Sequence, residues 1–152
     1  MASSRDSKYP FWDTSGWFSL IIPSESNHDE AKKIADQLQK NKFPFFTSDL
    51  VIQETMTLLM ARKETEKAKQ FWSSLIDSRV IRLERIDESR FQKSGDYFVK
   101  HIDQGYSFVD ASSFILMKEF RISSAVSTDK HFTKAGFKKL FGLTNANSHF
   151  PQ

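Results

Sequence analysis

Short apolar runs alternate with amphipathic helical stretches along almost the whole chain, and that alternation narrows the folds open to it more than any other feature. The runs "KYPFW" (8–12), "FPFFTS" (43–48), "RVIRLERI" (79–86) and "SSAVSTD" (123–129) read as strands. Pro10 weakens the first, because proline cannot donate to a hydrogen-bond ladder. Between and around them lie helical patterns: "DTSGWFSLII", stopping at Pro23, then "SNHDEAKKIADQLQKN", "SDLVIQETMTLLMARK", "ETEKAKQFWSSLID", "DESRFQKSGDYFVKHID" and "YSFVDASSFILMKEF". In the second, Ala31, Ile34, Ala35 and Leu38 recur at the helical period, while Asp29 and Glu30 sit in the first turn, where the helix dipole favours negative charge. Strands that alternate with helices predict an open, mostly parallel sheet of four to five strands with helices on both faces, a three-layer α/β/α arrangement. "FTKAGFKKLFGL" is expected to close the fold. The expected organisation is one domain over 8–143, preceded by a flexible N-terminus (1–7) and followed by a C-terminal tail (144–152).

A chain of 152 residues is long enough for one domain with a sizeable core. The absence of cysteine excludes a disulfide framework and a thiolate metal site, and suits a reducing, cytoplasmic location. "MASSRDSKYPFW" has no signal-peptide core, and "WFSLII" and "FILM" are far too short to span a bilayer, so no membrane partner is expected. A net charge of +3 suits a polyanionic partner without specifying one. There is no GxxxxGK[ST] loop for nucleotide phosphates and no DxDxT stretch around Asp13.

In open parallel sheets, sites form beyond the carboxyl ends of the strands. Asp13 follows the first run, in "FWDTS", and Asp129 follows the last, in "STDKHF". Each has hydroxyl neighbours, Thr14 and Ser15 in one case, Ser127 and Thr128 in the other. Asp110 heads a mostly apolar helical strip with Ser113, Phe114 and Met117. Glu54 is expected in the middle of an apolar stripe, with Leu50 and Val51 on one side and Leu58 and Ala61 on the other. Each has a local explanation. Asp13 can cap the next helix, Asp110 can close a capping box with Ser107, Asp129 can serve a turn, and Glu54 can pair with a base or reach water. The alternative is convergence. Two like charges roughly 4 Å apart repel by about 4 kcal/mol at an effective dielectric of about 20, so a cluster needs a cation or a proton. Oxygen ligands alone select a hard ion, Mg²⁺ or Mn²⁺ rather than zinc.

The order "WDTS", "TSDLVIQE", "YSFVDASSF" and "VSTDKHF" resembles the PIN domain, most closely its small VapC-type toxins, from about Tyr9 to about Leu140. The first strand, with its proline and bulky rings, and the "TSGW" after it depart from the usual aliphatic pattern. The resemblance implies that Asp13, Glu54, Asp110 and Asp129 form a catalytic quartet. Asp13, Asp110 and Asp129 would hold Mg²⁺ or Mn²⁺, Glu54 would act through water, and Thr14, Ser15 and Ser127 would orient the ligands. It implies an endoribonuclease that hydrolyses RNA to 5′-phosphate and 3′-hydroxyl ends, a homodimer, and a cognate antitoxin protein. Lys130, Lys134 and Arg62 are candidates for RNA phosphates, with Lys63, Lys138 and Lys139 behind them. His131 is expected to pack or hydrogen-bond locally. Trp12 and Trp17 are expected in a core or dimer interface rather than stacked on bases. The competing function is a non-catalytic PIN-like module that binds RNA or protein, for which a self-repelling cluster has no use.

Overall fold

The computed structural model of the protein describes residues 6–142; the expected tail and residues 1–5 of the expected flexible N-terminus lie outside the described residues. Five strands, β1 (Phe11–Trp12), β2 (Phe45–Ser48), β3 (Ile81–Glu84), β4 (Ser124–Val126) and β5 (Lys138–Lys139), form one sheet in the order β3-β2-β1-β4-β5. Every pairing in it is parallel. The helices that flank it are α1 (Thr14–Ile21), α2 (His28–Lys40), α3 (Asp49–Ala61), α4 (Thr65–Asp77), α5 (Glu88–Lys100), α6 (Phe108–Glu119) and α7 (Lys130–Lys134), with a 3₁₀ turn at Ile102–Gln104. The expected mixed α/β architecture is present.

Parallel strands covered on both faces are apolar throughout rather than alternating. Phe11, Trp12, Phe45 and Phe46 of β1 and β2 obey this, and the buried Thr47 and Ser48 that end β2 are satisfied, Thr47 donating to Trp12 O at 2.9 Å and Ser48 accepting Val51 N–H at 3.1 Å. The unusual rings of β1 fill the space that smaller side chains would leave. Trp12 lies 5.0 Å from Trp17 and 5.3 Å from Phe45, and Phe11 lies 6.1 Å from Phe46. Burying each such ring contributes about 1.5–3 kcal/mol. Pro10 precedes β1 and therefore removes no ladder bond. At the edge, β3 is half-exposed and carries Arg82 and Glu84, charges that discourage pairing with another chain. Arg90 of α5 bonds Glu84 at 3.0 Å and Glu119 at 2.7 Å, tying β3, α5 and α6 together.

Two departures from the sequence reading matter for the ends of the fold. Ser7, assigned to the flexible N-terminus, is anchored: its N–H donates to Arg121 O at 2.9 Å and its hydroxyl to Phe120 O at 2.8 Å. The expected helix over 87–103 ends at Lys100 and gives way to the 3₁₀ turn, after which Gly105 adopts φ 78°.

Gly16 sets how closely α1 approaches β4. A Cβ there would stand 2.2 Å from the carbonyl oxygen of Val126, which also accepts the N–H of Asp13 at 3.2 Å. The obstacle is backbone, so it cannot swing aside. Gly16→Ala is expected to lower stability by about 1–3 kcal/mol, the usual cost of overpacking, and to push Asp13 away from β4. Chemical denaturation of the variant beside the parent checks this.

Candidate active site

The strand order reverses at β1, which has β2 on one side and β4 on the other. Such a reversal opens a crevice beyond the carboxyl ends of the two strands. Asp13 follows β1 directly, and Ser127, Thr128 and Asp129 follow β4. The first turn of α6 brings Asp110 to the same end, and Glu54 approaches from α3.

Asp13 occupies the N-cap position of α1, yet its side chain makes no capping bond. Its Oδ2 instead accepts the Ser127 hydroxyl at 2.8 Å and lies 3.5 Å from Ser15 Oγ. The two hydroxyls are 3.2 Å apart. They also receive backbone N–H groups of the strand end, Asp129 N on Ser127 Oγ at 3.0 Å and Thr128 N on Ser15 Oγ at 2.9 Å. Thr14 donates its hydroxyl to Glu54 Oε1. All three hydroxyls singled out in the sequence therefore touch a carboxylate of the quartet. Burial pushes the Asp13 carboxyl up to about 7; the charges of Asp110 and Glu54 add to this, against the bonds from Ser127 and the Thr14 backbone.

For Asp110 the local explanation and convergence hold together. Ser107 Oγ accepts Asp110 N–H at 3.0 Å and Asp110 Oδ2 accepts Ser107 N–H at 3.0 Å, a complete capping box. The same Oδ2 lies 3.0 Å from His131 Nδ1. Asp129 caps α7 rather than serving a turn, its Oδ1 accepting His131 N–H at 2.9 Å. His131 Nδ1 lies 3.3 Å from that oxygen. One ligand atom from each of Asp110, Asp129 and His131 falls within a 4.8 Å span, a spacing that one metal ion can bridge.

Glu54 requires a correction. It is exposed, and the buried face of α3 is Val51, Ile52, Thr55 and Leu59. Leu50 and Leu58 are only half-buried and Ala61 is exposed, so the apolar stripe expected around Glu54 is a rim. Its carboxylate nonetheless reaches the crevice through Thr14. Among the described residues, the ion pairs formed by the four carboxylates come from His131 alone, with no lysine or arginine contributing.

The basic candidates are less concentrated. Lys130 is exposed at the start of α7, beside Asp129. Lys134 donates to Gln104 O at 3.1 Å, and the Arg62 guanidinium lies 5.6 Å from the Phe18 ring centre. Lys138 and Lys139 pair with Ser124 and Ala125, at the start of β4 and away from the site. Trp12 and Trp17 are buried core rings, and Trp17 Nε1 donates to Thr47 Oγ1 at 3.1 Å. His131 packs edge-on against Tyr106 and bonds locally to Asp129, as expected, and in addition reaches Asp110 across from α7 to α6.

An acidic crevice at the strand-order reversal of an all-parallel five-stranded sheet is the arrangement expected of a PIN-type domain, and the chain belongs to the PIN domain family, whose model matches residues 11–138. Over 128 residues it is 34% identical to the 23S rRNA-specific endonuclease VapC20 of Mycobacterium tuberculosis, covering 84% of this chain and 94% of that protein, in strains CDC 1551 and H37Rv alike. The crystal structure of Mycobacterium tuberculosis VapC20, a sarcin-ricin loop cleaving toxin, aligns with a TM-score of 0.73 at 34% identity, over 84% of this chain and 95% of that one.

Proposed function

We propose that the protein is a divalent-metal-dependent endoribonuclease, the toxin of a toxin–antitoxin pair. Kinship with VapC20 supports the RNA substrate and the antitoxin partner. The observation that carries the reaction is the convergence of Asp13, Glu54, Asp110 and Asp129 on one crevice where, among the described residues, no lysine or arginine pairs with them.

That donor set fits a hard divalent ion, Mg²⁺ or Mn²⁺. Asp13, Asp110 and Asp129 are the residues that would hold it. Among the described residues, no protein donor contacts Oδ1 of Asp110 or Oδ2 of Asp129, so each keeps one oxygen for the ion while its other oxygen is fixed. Such an ion would supply positive charge against the scissile phosphate and would acidify water. Ser127 and Ser15 hold Asp13 against the end of β4, so its carboxylate need not reorganise when charge develops nearby. Glu54 has one oxygen on Thr14 and the other available to take the proton of the attacking water. Water adds to phosphorus, the bond to the 3′-oxygen breaks, and the products carry 5′-phosphate and 3′-hydroxyl ends. Lys130, exposed beside Asp129, is the first candidate contact for a neighbouring phosphate, with Arg62 and Lys134 as further candidates.

We further propose a cytoplasmic homodimer built on one domain, 8–143. Among the described residues no helix is long and apolar enough to cross a membrane. Exposed Trp72 and Ile76 on α4, and Phe91 and Val99 on α5, offer apolar surface for protein partners.

The purified protein is expected to cleave RNA with Mg²⁺ or Mn²⁺, to leave 5′-phosphate ends, and to stop when EDTA is added. The relative's substrate makes 23S ribosomal RNA the first to test. Cleavage that ignores the chelator, or tight RNA binding without cleavage under any divalent ion, overturns the reading.

A further inference from the structure

His131 bridges two carboxylates that come from different parts of the chain. Asp110 is in the first turn of α6 and Asp129 is the cap of α7, and the imidazole Nδ1 lies 3.0 Å from Oδ2 of the first and 3.3 Å from Oδ1 of the second. These are the oxygens already engaged by backbone, with Ser107 N–H on Asp110 Oδ2 and His131 N–H on Asp129 Oδ1. The ring therefore reinforces the fixed oxygen of each carboxylate and leaves the other oxygen alone. With the ring proton on Nδ1, the imidazole donates to Asp110 Oδ2, and Asp129 Oδ1 lies beside that nitrogen at 3.3 Å.

The ring itself has little freedom. Tyr106, buried, meets it edge-on at 5.4 Å between centroids and stands T-shaped against Phe114 at 5.1 Å. Phe114 in turn packs T-shaped on Phe132 of α7, also at 5.1 Å. Imidazole, Tyr106, Phe114 and Phe132 thus form a closed packing unit joining α6 to α7, and the two carboxylates are attached to its ends.

We propose that His131 is a positioning residue for the metal centre: its imidazole, hydrogen-bonded to Asp110 and in contact with Asp129, holds the two carboxylates together and sets the separation of the oxygens they would offer to one divalent ion. This rests on the proposed nuclease reading for the presence of an ion. It differs from a ligand role, in which Nδ1 would give up its proton and bind the ion directly. Partners that orient metal ligands in this way typically contribute 10–100-fold in metal affinity or activity.

The test compares the parent, His131→Ala and His131→Asn, whose amide can donate from nearly the same place. Mn²⁺ affinity is read by electron paramagnetic resonance, and RNA cleavage is read as kcat and KM separately. His131→Ala is expected to bind Mn²⁺ about 10–100-fold more weakly, with KM for RNA within about twofold and kcat recovering as Mn²⁺ is raised. His131→Asn is expected to restore most of the affinity. Nitrogen-15 spectra of the parent imidazole, which need no variant, are expected to keep a protonated Nδ1 when Mg²⁺ saturates the protein. Equal Mn²⁺ affinity in parent and His131→Ala overturns the proposal, as does loss of the Nδ1 proton on Mg²⁺ binding. A parent that binds no divalent ion would instead remove the nuclease reading on which the proposal rests.

Discussion

Asp110→Asn is expected to lower RNA cleavage by about a thousandfold or more while leaving the protein folded. The size follows from the charge removed. Electrostatic stabilisation by a bound metal is worth several kcal/mol in the transition state, and about 4 kcal/mol is a factor of a thousand in rate. The fold survives because asparagine keeps an oxygen. Asp110 Oδ2 accepts Ser107 N–H, and Ser107 Oγ accepts the backbone N–H of residue 110, so an amide in place of the carboxylate can preserve both halves of the capping box. Asp110→Ala loses the side-chain half and is expected to cost about 1 kcal/mol besides. Single-turnover cleavage measured beside thermal melting separates the two effects. Cleavage by Asp110→Asn equal to that of the parent would assign the activity to a contaminant, and the quartet would lose its claim to catalysis.

That Asp110 is both cap and candidate ligand shows which part of the site the sequence made legible. "SFVD" encodes a capping box because all four of its atoms belong to one turn of helix, and the bonds form as the spacing predicts. The bond from the same oxygen to His131 crosses from α6 to α7 and depends on how the helices pack, for which no local spacing is a guide. Asp13 shows the converse. Its position before a helix invited a capping role, and only the arrival of Ser127 from β4 diverts its carboxylate.

The same distinction runs through the fold. The central strands announce themselves because both faces are buried and every residue is apolar or small, as in "FPFFTS". The two-residue strand β5 is made of lysines on an edge and is held by main-chain bonds, Lys138 N to Ser123 O and Leu140 N to Ala125 O, each 2.9 Å. Lysine side chains carry no strand signal there. Glu54 was misplaced for a third reason. The helix α3 has apolar residues around most of its circumference, so periodicity cannot tell its core face from its rim, and Met60 is in fact 56% exposed.

Metal-free protein is expected to become less stable as pH rises from about 4 to about 8, with Asp13 responsible for roughly 4 kcal/mol of the change. Burial raises the Asp13 carboxyl in the folded state from 3.8 to about 7. Between those values the folded protein holds a proton that the unfolded chain has released, so each increment of pH favours unfolding. The contribution is fully present below the unfolded value, declines through the interval, and is gone above the folded value. This is the reverse of the usual carboxylate, whose salt bridge strengthens as it ionises. Asp13→Asn removes the titration while keeping an acceptor for the Ser127 hydroxyl, so its stability profile is expected to be flatter and to lie above that of the parent near pH 8. A divalent ion that binds only the folded, ionised site stabilises it in proportion to the logarithm of its concentration. Mg²⁺ is therefore expected to raise the melting temperature of the parent near pH 8, to do far less near pH 5, and to leave Asp13→Asn almost unchanged. Parallel pH profiles for the two proteins, with an equal response to Mg²⁺, would mean that Asp13 is neither the strained group nor part of the ion's site.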